Sequence, residues 1–438
     1  MVTRRRIAVV GGGMAAARFA ERHHALGGTA EVTLHGAEPR APYNRVLLAD
    51  VLTGRYDAEA ITLPTGTARL DVGSEVVAVD PGARTLTLAD GRREPWDHLV
   101  LATGANPLLP PVRGLRDPAG GRLREGVHTL RTLADCVRLA EAAATASRAV
   151  VVGGGVLGVS AARALAALGL DVEIVHQGPH LIERQLDEDA ATALGAGLRR
   201  LGVETYLGNR ARAYAEGAPD GTGRHVELAT GYRLGTDLVV LACGVRPRTA
   251  LAHAAGLRVG TGVVVDDTLA TSSPGVYAVG DCVEHRGTVH GLSGPAWEQA
   301  DVLAARLSGA DPHARYGGSR PLSRLTAGPL EYAAFGEVHH GDEEPAADPE
   351  LDVLRLSDAT RGSYKKLVLR GDRLVGAILL GDLATVDGLT RAYEHDDPLP
   401  GLPLHLLTAA VPTAAPPPTT TPTRATDAPA PTAQGVAR

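Results

Sequence analysis

Two glycine fingerprints, 142 positions apart, constrain this chain more than any other feature. The first, Gly11-Gly12-Gly13-Met14-Ala15-Ala16, follows the apolar run Ile7-Ala8-Val9-Val10. The second, Gly153-Gly154-Gly155-Val156-Leu157-Gly158, follows Ala149-Val150-Val151-Val152. Each predicts a buried strand, a tight turn and the start of a helix. In such a motif the first glycine makes the turn and the second admits a pyrophosphate. The third position, here Ala16 or Gly158, lets the helix lie close on the strand. The bare N–H groups and partial positive charge of the helix start then face the phosphates. Two such units in one chain imply two dinucleotides, usually a flavin and a nicotinamide.

The rest of the chain repeats this plan. After the first fingerprint come a helix over 15–26 and a second strand at Ala30-Glu31-Val32-Thr33-Leu34. Glu38 follows, in the region where such units keep a carboxylate for the ribose hydroxyls. Alternating stretches at 75–79 and 84–88, with an Asp90-Gly91 turn, predict an antiparallel excursion over about 70–101. It closes on His98-Leu99-Val100-Leu101-Ala102-Thr103-Gly104. The second unit has its own hairpin region and closes on Leu238-Val239-Val240-Leu241-Ala242-Cys243-Gly244. After its second strand, Val172 to Val175, stands His176 rather than an acid, with Gln177 beside it and Arg184 downstream. NAD enzymes favour an acid there and NADP enzymes a nearby arginine, so the sequence leaves NADH and NADPH both open.

At 438 residues the chain is long enough for about three domains. The expected organisation is α/β, with two Rossmann-like dinucleotide domains, a small α+β C-terminal domain and a disordered tail. The expected bounds are 1–118 with 265–315 for the first dinucleotide domain, 119–264 for the second and 316–410 for an interface domain. A hairpin is expected around Arg370-Gly371-Asp372-Arg373. Residues 411–438, dominated by Pro, Thr and Ala, hold too little apolar surface to offset the entropy of ordering.

The net charge of −6, spread along the chain, gives no reason to expect nucleic acid. The three cysteines, Cys136, Cys243 and Cys282, form no C-x-x-C pair. That argues against a redox disulfide, an iron–sulfur cluster or a metal site supplied by this chain. Arg4-Arg5-Arg6 ahead of Ile7 imitates an export signal, but cleavage there would remove the first fingerprint. A cytoplasmic location is expected, and no apolar run reaches the roughly 18 residues of a membrane helix.

The two fingerprints, Ala102-Thr103-Gly104 and Tyr277-Ala278-Val279-Gly280-Asp281 together resemble the two-dinucleotide flavoprotein reductases. That group includes ferredoxin and rubredoxin reductases and the pyridine nucleotide–disulfide enzymes. Further stretches are similar to the flavin–nicotinamide half of assimilatory nitrite reductase and to the electron-transfer subunit of assimilatory nitrate reductase. These are Pro42 to Leu48, Leu181 to Asp187, Glu284 to Gly287 and Trp297-Glu298-Gln299-Ala300. The resemblance implies FAD at Gly11, Gly13, Met14, Ala15, Ala16, Glu38, Arg45, Val76, Ala102, Thr103 and Gly104. Gly280, Asp281 and Trp297 complete that set, with Asp281 on the ribityl chain and Trp297 near the isoalloxazine. NADH or NADPH is assigned to Gly153, Gly155, Leu157, Gly158, His176, Arg184 and Gly244.

The helix opened by Trp297 would favour an anionic reduced flavin by roughly 0.3–1 kcal/mol. No side chain is assigned as acid, base or nucleophile; His285 and His290 are read as structural or solvated. Many relatives carry a lysine and a glutamate, paired near the flavin, where this chain has Asp50 and Ser160. The implied electron outlet is a redox partner protein, either a nitrate or nitrite reductase subunit or a ferredoxin-like carrier. Reduction of a small acceptor and a flavin-binding regulatory role are the alternatives, and a homodimer is a further assembly to test.

Overall fold

A computed structural model describes residues 4–217, 223–320, 322–325, 330–339, 350–399 and 405–408. The Pro/Thr/Ala stretch at 411–438 lies outside the described residues.

Each fingerprint strand is nearly all apolar because it is covered on both faces, as parallel sheets require. Arg6–Val10 lies at the centre of a five-stranded parallel sheet. Glu31–Gly36 and then Arg69–Val72 flank it on one side, and His98–Leu101 and then Val276–Ala278 on the other. Arg148–Val152 holds the same place in the second sheet. There the neighbours are Asp171–Val175 and Val203–Tyr206 on one side, and Leu238–Leu241 and Val127–Thr129 on the other. Val9 therefore sits between Leu34 and Val100 as Val151 sits between Ile174 and Val240.

The repetition extends to single hydrogen bonds. Gly11 N–H donates to His35 O and Gly153 N–H to Val175 O, both at 2.9 Å. Ala102 N–H donates to Val10 O, and Ala242 N–H to Val152 O. Each unit also carries a three-stranded antiparallel excursion, Val76–Asp80, Thr85–Leu88 and Arg93–Pro95 in the first. In the second it is Ala211–Glu216, Arg224–Leu228 and Arg233–Thr236. One part of the expected first excursion belongs elsewhere. Arg69–Val72 runs parallel to Glu31–Gly36 as an edge strand of the main sheet. Its side chains are mostly exposed, so its apolar pattern carries no signal of that pairing.

The loops leaving the two closing strands meet. Ala105–Pro107 pairs antiparallel with Val245–Pro247 and ties the units together. The C-terminal region is a five-stranded antiparallel sheet ordered Leu322–Leu325, Tyr332–Gly336, Arg373–Leu380, Ser363–Arg370, Leu351–Asp358. The Gly371-Asp372 turn joins two of these strands, with Arg370 opposite Arg373. Helix Val386–His395 buries Val386, Leu389 and Tyr393 against this sheet.

The chain's two lysines, Lys365 and Lys366, lie side by side in strand Ser363–Arg370, and both are buried. Alternation along a strand sends them to opposite faces. Lys365 Nζ donates to Leu407 O at 2.9 Å and pairs with Asp382 at 2.8 Å. Lys366 Nζ lies 3.1 Å from Asp187 Oδ2, which also accepts from the Tyr364 hydroxyl at 2.7 Å. Asp187 Oδ1 in turn caps helix Glu188–Arg200 through Ala190 N–H. One buried carboxylate thus joins the C-terminal sheet to the second dinucleotide unit. Removing its cation leaves an uncompensated charge in a dry contact. Lys366→Met is therefore expected to lower unfolding free energy by about 3–5 kcal/mol in urea denaturation. A loss under about 1 kcal/mol would show that the pair contributes little.

Candidate active site

The first glycine of each fingerprint is fixed by close approach. Gly11 has φ +126°, and a Cβ there would lie 2.1 Å from Ala102 O. Gly153 has φ +112°, and its Cβ would lie 2.3 Å from Ala242 O. No side chain fits either place. Gly13 and Gly155 differ, since a Cβ on either meets no protein atom within 4 Å. Each instead borders open space and serves as N-cap of the following helix, Met14–Ala25 or Val156–Ala167. Neither helix start has a side-chain cap or an acid in its first turn. Their free N–H groups remain available to an anion.

Both helix starts open on one cleft of about 2440 Å³. That is more than twice the upper range of about 1,000 Å³ for ordinary small-ligand pockets. A third helix, Ser293–Ser308, also begins on this cleft without a side-chain cap, and Leu292, Ser293 and Ala296 line the wall. Arg18 holds this helix to Met14–Ala25 through two hydrogen bonds to Asp301, 2.7 and 2.9 Å long.

Of the first predicted set, Gly11, Gly13, Met14, Ala15, Glu38, Arg45, Val76, Ala102, Thr103, Gly104, Gly280 and Asp281 line the cleft. Of the second set, Gly153, Gly155, Leu157, His176, Arg184 and Gly244 line it. Ala16 and Gly158 lie beneath the wall, both buried. A Cβ on Gly158 would come within 1.9 Å of Gly153 O, so this position serves helix–turn packing rather than ligand contact. Trp297 is half-buried and is not on the cleft wall; its neighbour Ala296 is. Helical rotation turns the indole away from the opening. Gln299, from the same helix, accepts the Gly280 amide at 2.8 Å.

Around the first turn, ionic partners are already joined to one another. Glu38 accepts from Tyr43 at 2.6 Å and from Arg45 at 2.5 Å. Arg45 also donates to Arg131 O at 2.9 Å, and Arg131 donates to Asp281 at 2.6 Å. Burial pushes the Tyr43 phenol well above its ordinary range. Arg248 bonds Asn106 through its guanidinium and Gly104 O through its amide at 2.9 Å. Desolvation, then the charges of Arg45 and Arg131, lower its pKa. Three arginines from distant parts of the chain thus converge on the cleft that the Gly13 helix start opens on. Sequence reading identifies only Arg45 of the three. Arg131 and Arg248 stand in no motif: Arg131 follows strand Val127–Thr129 at the edge of the second sheet, and Arg248 follows Val245–Pro247, which pairs with Ala105–Pro107.

Asp50 and Ser160 are joined not to one another but each to a partner of its own. Asp50 is buried and faces Arg163 at 3.5 Å, while the Ser160 hydroxyl bonds back to Val156 O. Arg163 lies three residues beyond Ser160, on the same helix face.

His176 is turned onto the second glycine turn. Its Nδ1 accepts Gly154 N–H at 3.1 Å, and its Nε2 lies 3.5 Å from Glu183. His285 is buried against Asp267 at 2.9 Å, and together with Arg286 it helps draw that carboxyl down to about 2. His290 lines the cleft, where burial lowers its pKa. All three cysteines are free. Burial raises Cys136 and Cys243 to about 11, so neither is a thiolate at neutral pH.

This geometry opens two uncapped glycine-turn helix starts on one cleft. Residues 5–300 match the family described as pyridine nucleotide-disulphide oxidoreductase, and the chain belongs to it. Residues 321–396 match the rubredoxin NAD+ reductase C-terminal domain. Nitrite reductase [NAD(P)H] of Bacillus subtilis (strain 168) is 35% identical over 386 residues, 86% of this chain and 46% of the relative. The assimilatory nitrate reductase electron transfer subunit of the same organism is 33% identical, over 86% and 48%. The chain therefore spans about half the length of these curated relatives. A putidaredoxin reductase–putidaredoxin complex superposes with TM-score 0.78 at 25% identity, covering 92% of this chain and 95% of that one. Members of the family bind FAD and NADH or NADPH. No helix among the described residues is long and apolar enough to cross a membrane.

The glycines provide a test. Gly13→Val is expected to leave the apoprotein melting temperature almost unchanged while abolishing FAD retention, because its side chain enters the cleft alone. Gly11→Val is expected to prevent folding, because its side chain meets Ala102 O. Thermal melts with flavin absorbance distinguish the two, and equal damage to folding would refute this division of labour.

Proposed function

We propose that the chain is an FAD-dependent NAD(P)H oxidoreductase that passes electrons to an external redox partner. The observation that carries this reading is the pair of uncapped fingerprint helices opening on one cleft. Gly13, the Met14–Ala25 helix start and the Arg45, Arg131 and Arg248 cluster would hold the FAD pyrophosphate. Glu38 would take the adenosine ribose and Asp281 the ribityl chain. Both carboxylates are held in place by arginine and tyrosine bonds before any ligand arrives. Gly155 and the Val156–Ala167 helix start would hold the nicotinamide nucleotide's pyrophosphate. Bound FAD supplies the redox chemistry, accepting two electrons at once and releasing them singly or in pairs. The protein's part is to bind, orient and exclude water, and its side chains need supply no acid or base.

The outlet must lie outside the chain, because its cysteines are free thiols held protonated by burial. The relatives named for nitrite and nitrate reductase support a partner in nitrate or nitrite assimilation. A second reading, reductase of a small iron–sulfur carrier, is favoured by near-complete coverage of the putidaredoxin reductase chain.

Anaerobic stopped-flow is the test. NAD(P)H is expected to bleach the flavin fast, with air and disulfide substrates reoxidising it slowly and an added reductase subunit or iron–sulfur protein restoring turnover. No bleaching by either nucleotide would move the protein to a flavin-binding regulatory role. Rapid oxygen consumption without a partner would make it an oxidase.

A further inference from the structure

The second unit carries information about which nicotinamide nucleotide it takes. In this fold the residue ending the second strand faces the adenosine ribose, where a carboxylate selects the free 2′-hydroxyl and arginines accept a 2′-phosphate. Here that residue is His176, and its ring is committed to the glycine turn through Nδ1 and Gly154 N–H. It presents no negative charge to a ribose. The backbone brings two further segments to the same place. Asn209 N–H donates to His176 O at 3.0 Å, and Gly208 N–H to Gly178 O at 2.9 Å, which sets Arg210 beside the strand end. On the other flank, Ile182 N–H donates to Gly154 O at 2.9 Å and fixes the segment carrying Arg184.

Arg184 and Arg210 both line the cleft, both are exposed, and neither has an ion-pair partner among the described residues. Arg212 lies next along the same wall, loosely paired with Glu227 at 3.9 Å. Ile182 holds φ +53°, a left-handed conformation that a β-branched residue rarely adopts. This conformation turns the chain sharply two residues before Arg184. The single acid on this stretch of wall, Glu183, lies 3.5 Å from His176 Nε2 and is packed over Gly178. The balance of charge at the ribose end is therefore positive, with Arg184 and Arg210 unpaired among the described residues.

We infer that this site selects NADPH, with Arg184 and Arg210 receiving the 2′-phosphate. The inference rests on the reading of the second unit as the nicotinamide nucleotide site. Guanidinium groups suit this task because their planar donors match phosphate oxygens.

The test uses the FAD-loaded full chain and two probes that differ only at the ribose, 2′,5′-ADP and 5′-ADP. Calorimetry is expected to show 2′,5′-ADP binding tighter by roughly tenfold or more, an advantage that shrinks as salt rises. Arg184→Ala and Arg210→Ala are each expected to weaken 2′,5′-ADP by about tenfold and 5′-ADP far less. Flavin reduction followed separately with each coenzyme should give the lower KM for NADPH. Equal affinity for the two probes, tighter 5′-ADP, or equal losses for both probes in the variants would overturn the inference alone. Failure of both probes to bind and of both coenzymes to reduce the flavin would overturn the proposed function with it.

Discussion

The structure depends on two places where a side chain cannot exist. At Gly11 and Gly153 the backbone passes so close to the carbonyl of the neighbouring strand that a Cβ would overlap it. That contact brings each fingerprint strand into a helix in the shortest distance, and it aims the helix start at the open end of the sheet. Hydrogen bonds from the same glycines to His35 and Val175 fix the second strand of each unit relative to the turn. The position of Glu38, and the turning of His176 onto Gly154, follow from that register. A dinucleotide unit is in this sense built outward from one glycine, and the chain builds it twice.

The repeated units, most of their strands and the two glycine turns of the cleft wall were legible in the sequence because they follow from local rules. Apolar runs ending in glycine mark strands whose C-terminal ends form a site, and the repetition of Ala-x-Gly marks the two closing strands. What stayed illegible depends on long-range pairing. Arg131 reaches the first site from the edge strand of the second sheet, and Arg248 through the joining of two loops. Arg69–Val72 is an edge strand whose exposed side chains do not alternate as a buried strand's would. Trp297 lies in the right helix, yet its rotational position keeps it off the wall that Ala296 lines. Arg163 was within reach of reasoning, since a residue three positions past Ser160 shares its helix face.

Charge is distributed with a consistent logic. Almost all the basic residues are arginines, and several of them line the cleft, where planar, multiply donating groups can hold phosphate or carboxylate. The two lysines instead are buried in the C-terminal sheet and bind oxygen partners on opposite faces of one strand. Asp187 links that sheet to the second dinucleotide unit immediately downstream of the segment carrying Arg184. The C-terminal sheet and the nucleotide site are thus joined through a short stretch of chain, so packing in one constrains the other.

The central claim is that the two repeated units present two dinucleotides to each other in a single cleft. A crystal structure of the chain with FAD and a nicotinamide nucleotide bound together tests it most directly. The account predicts one FAD on the Gly13 turn and one nicotinamide nucleotide on the Gly155 turn, with the nicotinamide and isoalloxazine rings in contact. Two ligands whose rings lie apart, or a second turn without a nucleotide at saturating concentration, would contradict it.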